Sequence, residues 1–141
     1  MTVMLIFTEG TILKHKGIIE DYNSYIPVGN AVGKIKIWKD QGAEIYYLTS
    51  RREKQEIEDI REVLKKYNFP DFHNLYFRKE GEEYHEVAEK LLPNVIVEDD
   101  CASIGGEGEM VYPHIREDIK SKIKSIVVRE FCGIDHLPDK I

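Results

Sequence analysis

The sequence predicts an α/β domain: a five-stranded parallel sheet with helices packed on both faces. Three observations carry this. Short apolar runs alternate with longer amphipathic stretches along the chain, which is the signature of successive right-handed βαβ units. The apolar runs, such as Val3-Met4-Leu5-Ile6-Phe7 and Ile45-Tyr46-Tyr47-Leu48, are uninterrupted rather than alternating. Strands covered on both faces read this way. Finally, 141 residues are enough for one domain with its own core and too few for two ordinary ones.

The elements follow in order. Val3 to Phe7 is a buried strand. Asn30 can cap a helix running to about Gln41, with Ala31, Val32, Ile35 and Trp38 on one face, and Gly42 closes it. Glu44 to Leu48 is the second strand. Glu53 to Tyr67 is a helix with Ile57, Ile60, Val63, Leu64 and Tyr67 at helical spacing, and Pro70 lies beyond its end. Leu75-Tyr76-Phe77 is a third strand. Glu82 to Leu92 is a helix bounded by Pro93. Val95-Ile96-Val97 is the fourth strand, Ile115 to Ile123 a short helix, and Ser125 to Val128 the fifth strand. The tail from Phe131 to Ile141 reads as irregular, yet it is apolar enough to need cover from its own domain or a neighbouring subunit. Tyr22, Tyr25 and Ile26 show no clear periodicity. They suit packing over the rim of a site or a homo-oligomer contact.

Composition narrows the function classes. Hydrophobic residues at 42% and charged residues at 33% give a chain that folds and is neither disordered nor collagen-like. The net charge of −6 argues against a broadly basic nucleic-acid face. No apolar run is long enough to span a bilayer, and the N-terminus lacks a basic region followed by an apolar stretch. The two cysteines, Cys101 and Cys132, cannot build a disulfide framework, so a cytoplasmic protein is expected. Glu and Lys are abundant while Gln occurs only at Gln41 and Gln55, a heat-adapted composition that predicts a thermophilic source.

In open parallel sheets ligands bind beyond the carboxyl ends of the strands. Thr8-Glu9-Gly10-Thr11 follows the first strand and Thr49-Ser50-Arg51-Arg52 the second. Arg78-Lys79 follows the third, and Glu98-Asp99-Asp100 closes the fourth, before Cys101. Hydroxyls and a cation suit phosphate oxygens, and carboxylates suit magnesium. Each residue alone also serves as an ordinary helix cap. A cysteine nucleophile at Cys101 is disfavoured, because three neighbouring acids suppress the thiolate. The five histidines lack zinc spacing. Gly105-Gly106-Glu107-Gly108 is no dinucleotide fingerprint and reads as a rim loop.

Taken in this order, the motifs resemble the haloacid dehalogenase-like superfamily of phosphohydrolases. Its first-strand motif, Asp-x-Asp-Gly-Thr, is met by Phe7-Thr8-Glu9-Gly10-Thr11. Its hydroxyl after the second strand is met by Thr49, with Ser50 beside it. Its later cation is met by Lys79 or Arg78, and its acids after the fourth strand by Glu98-Asp99-Asp100. The resemblance spans roughly residues 3 to 128. It implies a single three-layer, Rossmann-like domain over residues 1–141 with strand order 3-2-1-4-5. The intervals between motifs leave no room for a separate cap domain. It also implies a phosphorylated ligand at Thr49, Ser50 and Lys79, and Mg2+ among Glu98, Asp99 and Asp100.

One departure governs the functional expectation. The family nucleophile is the first Asp of the first motif, and here Phe7 holds that place. A phenyl ring neither attacks phosphorus nor binds magnesium. Glu9 keeps the carboxylate of the acid/base position, one methylene longer. Three readings follow. The domain has lost aspartyl-phosphate chemistry and keeps a phosphate or metal pocket; or a metal held by the acids activates water for hydrolysis; or the role is structural or protein-binding.

Overall fold

The structure is a computed structural model describing residues 2–141. Seven strands and four α-helices run in the order β1 (Val3–Phe7), β2 (Leu13–Lys14), β3 (Ile26–Pro27), α1 (Ala31–Asp40), β4 (Glu44–Leu48), α2 (Lys54–Lys66), β5 (Leu75–Tyr76), α3 (Tyr84–Leu91), β6 (Val95–Asp99), α4 (Glu117–Lys120) and β7 (Lys124–Val128). Five strands form a parallel sheet in the order β5-β4-β1-β6-β7. Counted among the sheet strands alone, this is the expected order 3-2-1-4-5, with the first strand central.

The alternation of side chains along β1 divides the core into two layers. Met4 and Ile6 face a cluster with Ile35 and Trp38 of α1 and Ile57, Ile60, Val63 and Leu64 of α2. Leu5 faces the other way, toward Val87 and Ala88 of α3 and toward Val111, Ile115 and Ile123. Phe7 lies on this second face, half-buried. The helices start where local chemistry allows. The Asn30 side chain accepts the Gly33 N–H at 3.2 Å and caps α1, while Glu83 and Glu86 form a reciprocal capping box on α3.

Three features differ from the sequence reading. The segment between β1 and α1 holds a small antiparallel pair, β2 with β3, whose connecting residues arch over the carboxyl end of the sheet. Strands of two residues give no period to read. The fourth helix shrinks to Glu117–Lys120, because Pro113 and Ile115 belong to an extended approach and a 3-10 turn. The fourth strand reaches two residues further than the apolar run, through Glu98 to Asp99.

The tail finds its partner within its own domain. Ile134 is fully buried in the first layer. The Trp38 indole donates to the Pro138 carbonyl at 3.0 Å, and Lys34 Nζ donates to the Leu137 carbonyl at 2.6 Å. Asp135 accepts the Asn30 N–H from beyond the start of α1. No helix among the described residues is long and apolar enough to cross a membrane.

Candidate functional site

A cavity of about 490 Å³ opens at the carboxyl ends of β1, β4 and β6. That is where the topology reverses from strands added on one side of β1 to strands added on the other. Phe7, Leu48 and Val111 contribute apolar wall, Glu9, Ser50 and Asp99 contribute polar rim, and Ile19 and Tyr25 of the β2–β3 arch close over it.

The turn after β1 is built by its backbone. The Thr8 carbonyl accepts N–H groups from Thr11, Ile12 and Leu13. This folding-back requires Gly10 at φ +88°, where a side chain is strained. A Cβ at Gly10 would also lie 2.9 Å from both oxygens of the Asp99 carboxylate. Glycine is therefore what lets the β1 turn pass beneath Asp99. Thr11 completes the junction: its hydroxyl donates to Asp99 Oδ1 at 2.8 Å and accepts the Asp99 N–H at 3.0 Å, all of it buried.

Glu9 is turned toward β4. Its Oε1 accepts hydrogen bonds from the hydroxyls of Thr8 at 2.7 Å and Thr49 at 2.6 Å. Its Oε2 accepts from Ser50 Oγ at 2.8 Å and Ser50 N–H at 3.2 Å, with the Arg51 Nε 4.0 Å away. Arg51 itself stacks on Tyr22, 4.6 Å from the ring centre, and donates to the Tyr22 hydroxyl.

On the other side of β1, Asp99, Asp100 and Glu130 place one carboxylate oxygen each within 4.8 Å of one another. Burial pushes the Asp99 carboxyl above its ordinary range, opposed by the Thr11 hydroxyl and the Cys101 N–H. Neighbouring residues of a strand face opposite sides, so Glu98 points away from Asp99. Both Glu98 oxygens accept backbone N–H groups, from Val111 at 2.8 Å and Tyr112 at 2.9 Å. Its carboxyl is raised chiefly by burial. Cys101 is pushed up to about 12, first by burial and then by the charges of Asp99, Glu98 and Glu130. That agrees with the expectation of a suppressed thiolate.

The structure thus brings Glu9, Thr49, Ser50, Asp99 and Asp100 to one end of the sheet; Glu9, Ser50 and Asp99 line the cavity with Phe7, whereas Thr49 and Asp100 do not. It separates two of the predicted residues. Glu98 lines the cavity but is held to the 111–112 backbone rather than to the acidic cluster. Lys79 is exposed and absent from the cavity lining. A turn carries it outward: the Glu82 carboxylate accepts its N–H at 2.9 Å, and its carbonyl accepts the Glu82 N–H. Arg78 is also outside the lining and lies over the Tyr84 ring at 4.1 Å. Several lining residues, Glu130 and Tyr84 among them, carry no site expectation from the sequence. Glu130 stands just beyond β7, so inspecting the fifth strand end as the first four were inspected would have found it. Tyr84 opens α3 and carried no signal of its own.

No family model and no curated protein matches the chain. Solved structures do share its fold. A class C acid phosphatase from Bacillus anthracis, with tungstate bound, superposes with a TM-score of 0.64 at 12% identity over 94% of this chain and 68% of that one. A chain of the Pnkp1/Rnl/Hen1 complex gives 0.65 at 16% identity, covering 92% of this chain and 47% of that one. The D,D-heptose 1,7-bisphosphate phosphatase of B. bronchiseptica, complexed with magnesium and phosphate, gives 0.54 at 9% identity over 95% and 96%. At such identities the likeness is one of fold: an open parallel α/β sheet with the strand order described above.

Proposed function

We propose that this domain keeps the fold of phosphohydrolases without their covalent chemistry, and binds a phosphorylated ligand together with a divalent cation. Phe7 is the observation that carries this reading. It ends β1 in the wall of the cavity, where the family reaction needs a carboxylate to attack phosphorus. A remaining acid/base group such as Glu9 supplies roughly 10²–10⁴-fold, far below the ~10⁶-fold or more typical of enzymes.

The acidic cluster fits a cation such as Mg2+. Asp99, Asp100 and Glu130 are hard oxygen donors. The hydrogen bonds they accept, from Thr11 and Cys101, from the Ala102 and Glu130 N–H groups, and from Ser103, leave lone pairs unused, since an ionised carboxylate accepts at about four positions. When bound, the cation supplies positive charge to offset phosphoryl oxygens. Ser50 supplies a hydroxyl donor in the cavity lining, and the fully buried Thr49 hydroxyl is held by Glu9. Two free cysteines and the Glu- and Lys-rich composition support a cytoplasmic protein of heat-adapted origin.

The test is a phosphoenzyme and turnover assay with p-nitrophenyl phosphate and magnesium. The natural sequence should give negligible turnover and no aspartyl-phosphate, whereas Phe7→Asp should regain weak hydrolysis. Robust magnesium-dependent turnover by the natural protein, abolished by Asp99→Asn, would overturn this reading. It would favour hydrolysis by metal-activated water.

A further inference from the structure

Glu9 sits in a donor set that is complete for an anion. Four hydrogen bonds, from Thr8, Thr49, Ser50 Oγ and Ser50 N–H, end on its two oxygens. Hydroxyls and an amide converging from two strand ends with a guanidinium alongside are what binds a phosphoryl group elsewhere in protein chemistry. One donor is not satisfied by the carboxylate: Arg51 Nε is buried with no hydrogen-bond partner, 4.0 Å from Glu9 Oε2. A planar carboxylate has two oxygens, whereas a tetrahedral oxyanion has more and can reach a fifth donor. The Glu9 backbone is fixed independently of its side chain, by a bridge to Leu13 and by the Gly10 N–H on the Leu13 carbonyl at 2.8 Å. The cavity beside it gives the displaced carboxylate somewhere to go.

We infer that Glu9 is the resident anion of this cradle, a built-in competitor that a phosphorylated ligand must displace to reach Thr49, Ser50 and Arg51. The inference rests on the phosphate-binding reading above and adds its control: selectivity against free phosphate, because only a ligand with further contacts in the cavity can offset the expulsion of Glu9. The added methylene of Glu over Asp is the feature that lets residue 9 span from β1 to the hydroxyls after β4.

The experiment titrates inorganic phosphate into metal-free protein, following the Ser50 amide by NMR and affinity by calorimetry. Glu9→Ala should bind phosphate at least ~10-fold more tightly than the natural protein, the factor one charge-assisted hydrogen bond carries. Adding Thr49→Val should return affinity to the natural level. Glu9→Gln keeps the shape and should give a smaller gain in the same direction, so it decides the matter if the alanine variant does not fold. Equal affinity in the natural protein and Glu9→Ala, lost on Thr49→Val in both, would overturn the resident-anion inference and leave the phosphate reading standing. A gain insensitive to Thr49→Val would place the new site elsewhere and overturn the inference. Binding by none of the proteins would overturn both.

Discussion

Thr11→Val tests whether the junction between β1 and β6 is held as the structure shows. Valine replaces the hydroxyl with a methyl of nearly the same size, so packing is preserved and only the hydrogen bonds go. Two are lost, both buried: Thr11 Oγ1 to Asp99 Oδ1 at 2.8 Å, and Asp99 N–H to Thr11 Oγ1 at 3.0 Å. The first serves a carboxylate and is worth about 1.5–3 kcal/mol. The second leaves a buried N–H without a partner and adds about 1 kcal/mol or more. Together they amount to roughly 2.5–4 kcal/mol. For a domain of this size each kcal/mol moves Tm by roughly 3–4 °C, so a fall of about 10 °C is expected. The loss should also depend on pH. The Thr11 hydroxyl stabilises the charged form of Asp99 and so holds its folded-state pKa down. That contribution is present when Asp99 is ionised and fades as pH falls through its folded value. Thermal and urea denaturation followed by circular dichroism at neutral and acid pH would read both effects. Thr11→Ser, which keeps the hydroxyl, should lose much less. A valine variant within about 0.5 kcal/mol of the natural protein, or a serine variant equally damaged, would refute the reasoning.

Other outcomes follow from the same geometry. Burial raises the Glu98 carboxyl in the folded state, so the native protein holds its proton longer than the unfolded chain. Its contribution is present at acid pH and is lost as pH rises through the folded value. Tm measured in chelator-containing buffer should therefore fall toward neutrality more steeply for the natural protein than for Glu98→Gln, and parallel curves would contradict the assignment. Magnesium at ten times its dissociation constant should add about 1.4 kcal/mol, or roughly 4–5 °C of Tm. Asp99→Asn or Glu130→Gln should remove that gain and Glu98→Gln should not, as a calorimetric titration would show. Gly10→Ala should cost more than an exposed Gly→Ala substitution, since its Cβ meets the Asp99 carboxylate at 2.9 Å on a backbone at φ +88°; an unchanged Tm would mean the turn is free to move.

The sheet was legible because its signals are local and repeated. Each apolar run of β1, β4 and β6 announces a strand buried on both faces, and each amphipathic stretch between them announces a covering helix. The residues after the strands were legible for the same reason, since a parallel sheet directs all its carboxyl ends to one side. Illegible features depend on distance or direction rather than pattern. The β2–β3 arch pairs two residues with two, too few to show a period. Lys79 lies in the right interval of sequence, but whether a cation turns inward depends on the turn it occupies, and the Glu82 carboxylate turns this one out. Glu98 and Asp99 are adjacent letters, yet the extension of β6 through both puts them on opposite faces. Only the apolar run to Val97 could be read as strand.

Under the proposed reading, Phe7 and Glu9 complement each other in one cavity lining. A carboxylate at position 7 would share the cavity lining with Glu98, Asp99 and Glu130, and their mutual repulsion would call for a cation. A phenyl ring there removes that repulsion and extends the apolar wall formed with Leu48 and Val111. The hydroxyls of Thr49 and Ser50 would still lie at the end of β4, where burial without an acceptor is costly; Thr49 is fully buried. Glu9 supplies that acceptor with both oxygens. The hydroxyls on the β4 side are therefore satisfied without any ligand, while Arg51 Nε lacks a partner, and the β6 and β7 side carries the acids Asp99, Asp100 and Glu130. An active phosphatase must leave its oxyanion donors open for phosphorus to approach. Under the proposed reading, hydroxyl donors already engaged by Glu9 and a phenyl ring in the cavity wall at position 7 favour selective binding over turnover.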